Sequence, residues 1–124
     1  MENKKAVKLL DKIIEDVNRN GIVTNTLVAD LKELRPYTVE EQLPLLAKTV
    51  RLIYEHVEEY ETFAIGMPEE EPVVDEEGNV IADVEPVESD PESSLVYLLT
   101  LMKNIDNQAN EEEVREYVSA LQDY

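Results

Sequence analysis

At 124 residues, with 43% apolar and 32% charged side chains, the chain has the size and hydrophobicity of one folded domain around a single core. It contains no cysteine, no tryptophan and one histidine, which excludes disulfide frameworks, thiol nucleophiles and Cys/His zinc sites. Twenty-nine acids against eleven bases give a net charge of −18, a surface that repels phosphate and anionic lipid, so neither direct nucleic-acid binding nor membrane binding is expected.

The opening residues Met1-Glu2-Asn3-Lys4-Lys5 lead into an amphipathic run rather than an apolar signal segment. No stretch of about 18 residues is uncharged enough to span a bilayer, and a cytoplasmic protein is expected. From about Asn3 to Asn20, Ala6, Val7, Leu10, Ile13, Ile14 and Val17 form one helical face, and Asn20-Gly21 supplies the left-handed stop. The opposite face carries Lys4, Lys5, Lys8, Lys12 and Arg19 with Asp11, Glu15 and Asp16 among them, a solvated mixed-charge face.

Thr24, Asn25 or Thr26 caps a second helix with Leu27, Val28, Leu31 and Leu34 on its face, and Pro36 is expected to end it by pushing Arg35 out of the helical region. Thr38-Val39-Glu40-Glu41 reads as a capping box opening a long third helix to Ala64. Val39, Leu43, Leu46, Val50, Ile53, Val57, Tyr60 and Ala64 recur there at alternating steps of four and three, one apolar stripe. Pro44 predicts a kink in that helix or a start delayed to the proline.

From Gly66 to Glu92 the composition changes abruptly, to eleven acids, no bases, four prolines and two glycines in 27 residues. Val73-Val74 and Val80-Ile81 flank Asp75-Glu76-Glu77-Gly78-Asn79, which suits either a β-hairpin or an acidic loop. A connection of this length inside one domain is uncommon and points to function. Ser89-Asp90-Pro91-Glu92 announces the fourth helix, with serine as cap. Leu95, Val96, Tyr97, Leu98, Leu99, Leu101, Met102 and Ile105 leave that helix apolar on nearly every side, so it wants burial all round or an interface. Asn110 and Glu113 form the box of a last helix carrying Val114, Tyr117, Val118 and Leu121.

No residue pattern here specifies a catalytic chemistry. Ile53 stands three residues before His56, where a di-iron helix carries glutamate. His56 is therefore expected at the boundary or surface of the third helix. The spacing of Glu69-Glu70-Glu71 and Asp75-Glu76-Glu77 lacks the alternating ligands of an EF-hand loop, so no metal is assigned. There is no Walker loop, dinucleotide fingerprint or nucleophile elbow, and no cofactor is expected. Tyr37 and Tyr54 lie off the main stripes, where an aromatic side chain can anchor a partner.

The sequence thus predicts an all-α fold, an antiparallel bundle of four to five helices in a single domain over 1–124. Residues 66–92 form an acidic arm between the third and fourth helices. The expected function is a non-catalytic protein-interaction or assembly module that self-associates, as a homodimer, through Leu95, Tyr97, Leu98, Leu99 and Met102. The alternative is an acidic decoy, resembling DNA in charge, in which Glu69, Glu70, Glu71, Asp75, Glu76 and Glu77 occupy a basic surface of a partner protein.

Overall fold

The computed structural model describes residues 1–66 and 90–124, and five α-helices account for most of them. They are α1 (Lys4–Asn20), α2 (Thr24–Glu40), α3 (Pro44–Tyr60), α4 (Pro91–Lys103) and α5 (Gln108–Asp123), with no strand among the described residues. The hairpin expected around Asp75 to Asn79 lies outside the described residues.

Helix α1 follows its pattern closely. The Asn3 side chain accepts hydrogen bonds from the Lys5 and Ala6 amides, and Gly21, at φ +72°, closes the helix by donating to the Val17 carbonyl. Ala6, Leu10, Ile13 and Val17 are buried at helical spacing, the leucine, isoleucine and valine contributing about 1.5–3 kcal/mol each when taken from water.

Helix α2 departs from expectation, for it runs straight through Pro36 to Glu40. An interior proline costs a helix about 3 kcal/mol, yet its φ is already helical, so the chain can continue if tertiary burial offsets the loss. It does: Leu31, Leu34 and Thr38 are all at 0% exposure, and the Thr38 hydroxyl donates to the Arg35 carbonyl at 2.6 Å. Residues Thr38 to Glu41, expected to open a helix, close one instead. The Leu43 amide donates to the Thr38 carbonyl at 2.9 Å and the Gln42 amide to the Val39 carbonyl at 3.1 Å. That pair of bonds is a Schellman closure with Gln42 in the left-handed position, at φ +59°. Replacing Gln42 by glycine is expected to stabilise the protein by about 0.5–1 kcal/mol, because a side chain at positive φ is strained. Urea unfolding followed by circular dichroism measures it, and a loss of stability would contradict the left-handed turn.

Helix α3 therefore starts at the proline, Pro44 standing in the first turn where its missing amide proton is harmless. Leu46, Val50, Ile53 and Val57, the middle of the predicted stripe, are at 0% exposure, whereas its outer members Val39 and Tyr60 are 56% and 42% exposed. Helix α3 ends at Tyr60 rather than Ala64 because Glu61 turns left-handed, φ +56°. Two further caps differ from the sequence reading. Asp90, not Ser89, caps α4 by accepting from the Ser93 amide at 2.7 Å, and Asn107, not Asn110, caps α5.

The principal helix contacts form a closed circuit, α1 to α2 to α3 to α5 to α4 and back to α1. Salt bridges follow the same circuit: Lys12 to Asp30 joins α1 to α2, Lys32 to Glu58 joins α2 to α3, and Lys103 to Asp11 joins α4 to α1. Each keeps its lysine partly in water, where screening weakens an ion pair, although the Asp30 carboxylate is itself buried; the apolar interior holds the fold. Helix α4 lies between α1 and α5, and Leu95, Leu98, Leu99 and Met102 are all at 0% exposure. The chain's own helices cover these side chains, so the apolar surplus expected to drive self-association is consumed inside one molecule. Tyr37 and Tyr54 also pack, half-buried, against this core, and the Lys32 ammonium stands 5.5 Å from the Tyr54 ring centre. No helix among the described residues is long and apolar enough to cross a membrane.

Candidate functional site

Residues 67–89 lie outside the described residues, and the chain on either side of them is tied together where Ile65 and Ser94 meet in one buried knot. Helices α3 and α4 are not principal neighbours; α5 stands between them in the circuit. The segment after Glu61 must therefore cross α5 to reach α4. It does so with Phe63 and Ile65 pointing inward, 1% and 7% exposed, the Phe63 ring stacked on Tyr117 of α5 at 6.3 Å.

Ser94 of α4 receives the crossing. Its hydroxyl donates to the Ile65 carbonyl at 2.7 Å, and Tyr117, whose oxygen lies 3.1 Å from that hydroxyl and 3.2 Å from the Ser94 carbonyl, donates its own proton to Ser94. All three residues are buried, and a satisfied polar network in a dry interior fixes geometry as well as adding energy. Burial raises the Tyr117 phenol above its ordinary value, so the proton that Ser94 needs stays in place. On the Asp90 side, the hydrogen bonds from Ser93 hold the capping carboxyl below the usual carboxylate range. Tyr97 donates to Glu113, joining the outer faces of α4 and α5.

His56 is the second anchor. It is buried, 5% exposed, and its Nε2 accepts the Ala64 amide at 3.0 Å. This corrects the expectation of a surface histidine: the chain folds back over α3 through the turn at Glu61 and covers the ring, an event no helical wheel registers. Because Nε2 accepts, the neutral ring carries its proton on Nδ1. Tyr60, Phe63 and Tyr124 surround it at centroid distances of 4.8, 5.8 and 4.9 Å. Desolvation lowers its pKa below the ordinary imidazole value, with the charge of Glu59 opposing in part.

The two sets of predicted interaction residues part company here. Leu95, Leu98, Leu99 and Met102 belong to the core, and Tyr97 is half-buried beside it. Glu69, Glu70, Glu71, Asp75, Glu76 and Glu77 lie outside the described residues, between the two anchored ends. Among the described residues no three His, Asp or Glu side chains gather as a metal site would require. Sequence reasoning missed Ser94 and His56. The available signal was a serine amid the apolar residues of α4, since a buried hydroxyl needs a partner.

The described residues define an all-α protein, with five helices among them. Searches against family models, curated proteins and solved structures found no match to the chain.

Proposed function

We propose that this chain is a non-catalytic protein-interaction module that presents residues 67–89, with nine acids and no bases, to a basic protein surface. The single observation that carries the reading is the knot at its base. The Ile65 carbonyl is bonded to Ser94 and the Ala64 amide to His56, so the helices supply a fixed mount for a segment of extreme composition. Local charge complementarity of this kind mainly raises association rates and selects partners. Self-association belongs to the same reading, with the acidic segment rather than the apolar face of α4 as its instrument. We read the closed circuit of helices as an antiparallel bundle serving as scaffold, and the protein as cytoplasmic.

The test converts the nine carboxylates of 67–89 to amides (Glu69→Gln, Asp75→Asn and so on) and compares the proteins retained from a cell extract by each form. The expected result is partners held by the unaltered chain at 50 mM salt, released at 300 mM, and absent from the neutralised form. The same retained set for both forms would remove the proposal.

A further inference from the structure

The opposite end of α3 carries the complementary chemistry. Between the last turn of α2 and the first turn of α3 lies an open groove of about 650 Å³ lined by Arg35, Val39, Leu43, Pro44, Lys48 and Arg51, together with Gln42 and Ala47. Among the described residues three cations line it and no carboxylate does, in a protein of net charge −18. Two of the three are lightly engaged. Arg35 Nε donates to the Ala47 carbonyl at 3.4 Å, and Arg51 stands 3.9 Å from Glu55, at the outer limit of an ion pair. Lys48 is exposed. Helix α3 also begins here without a side-chain cap and without an acid in its first turn, so its positive end adds to the field. The floor is apolar, with Val39 at 56% exposure. Lys4, Lys5 and Lys8 of α1 make a second basic face, but Asp11, Glu15 and Asp16 are interleaved along that helix.

We infer that this groove docks the acidic segment 67–89 of a second copy of the chain. Carboxylates interleaved with Val73, Val74, Val80, Ile81, Val84 and Val87 match three cations set around an apolar floor. Placement favours a second copy over the same one. The groove is walled by α2 and the first half of α3, while the segment is rooted on the other flank, at Ile65 against Ser94 of α4 and Phe63 against Tyr117 of α5. Returning to its own groove, the 23-residue segment would have to wrap around α3 and come back, so that only part of its carboxylates could engage. The net repulsion between two acidic copies is damped at physiological salt by a screening length of about 8 Å, while pairs that become partly buried in the groove are screened less. The inference rests on reading 67–89 as a recognition segment, and it names the partner of that segment.

The experiment is a complementation in sedimentation velocity at 150 mM salt and up to 100 μM protein, with circular dichroism verifying the fold of each form. K48E/R51E keeps the segment and spoils the groove; the form with nine neutralised carboxylates keeps the groove and spoils the segment. The unaltered chain is expected to associate, each altered form to weaken association at least tenfold, and an equimolar mixture of the two to regain a 1:1 dimer. Should K48E/R51E unfold, K48Q/R51Q takes its place. A monomeric unaltered chain, or association indifferent to K48E/R51E, overturns the inference. If the chain is monomeric while the extract experiment still retains partners that need the carboxylates, the proposed function stands and only the choice of partner fails.

Discussion

Replacing Tyr117 by alanine is expected to lower the unfolding free energy by about 3–5 kcal/mol, as for other large aromatics removed from a core. The side chain is 1% exposed and its ring lies 6.3 Å from Phe63 and 6.5 Å from Tyr97. Truncation would open a cavity at the point where the segment after α3 crosses α5. Phenylalanine at this position separates packing from hydrogen bonding. It keeps the ring and loses only the proton given to Ser94, at a cost of about 1 kcal/mol, since the Ser94 hydroxyl still donates to Ile65. Urea unfolding of both variants measures the pair. Equal losses for phenylalanine and alanine would mean that the hydroxyl, not the ring, holds the crossing; a loss below about 1 kcal/mol for alanine would mean that the crossing lies outside the cooperative core.

The second large effect is acid sensitivity through His56. In the unfolded chain this imidazole binds a proton near pH 6.5; in the folded protein burial lowers its pKa, and the Ala64 amide already points a proton at Nε2. The unfolded state therefore binds more protons than the folded state below pH 6.5. Stability is constant above that value from this group, falls as the pH drops below it, and levels once the folded pKa is passed. One group sets a ceiling of about 1.4 kcal/mol per pH unit. His56→Gln removes the titration while leaving a carbonyl able to accept the Ala64 amide, so its unfolding free energy should vary less between pH 7 and pH 5 than that of the unaltered chain. His56→Ala, which orphans the buried amide and strips contacts from Tyr60, Phe63 and Tyr124, should cost about 2–4 kcal/mol at pH 7. Parallel slopes for His56→Gln and the unaltered chain would show that His56 does not report the acid transition.

Both effects act on the segment from Phe63 to Ile65. Loosening Tyr117 or protonating His56 is expected to free that segment before it frees the helices. In amide exchange, the Ala64 amide is expected to lose protection in His56→Ala while the middle of α3 keeps it. Equal losses in both places would indicate that the knot and the helix open as one unit.

What the sequence determined by itself was the set of helices and the faces they bury. Ala6, Leu10, Ile13 and Val17 in α1, Leu46 to Val57 in α3, and Val114, Tyr117, Val118 and Leu121 in α5 are periodic apolar positions that went where the period sent them, because only a helix brings those side chains to one face. It also isolated the acidic stretch, since composition requires no coordinates. Tertiary structure decided the rest. Pro36 lies inside a helix because burial around it outweighs a local penalty, and Thr38 to Glu41 ends a helix rather than starting one because Pro44 is free to begin the next. The apolar surplus of α4 became core when α1 and α5 closed over it from both sides. His56 became an anchor, and Ser94 its counterpart on α4, only when the segment after Glu61 folded back across α5. Periodicity describes what one helix presents to its surroundings; which segment comes to cover that face is settled by the competition among all the faces of the chain for a single core.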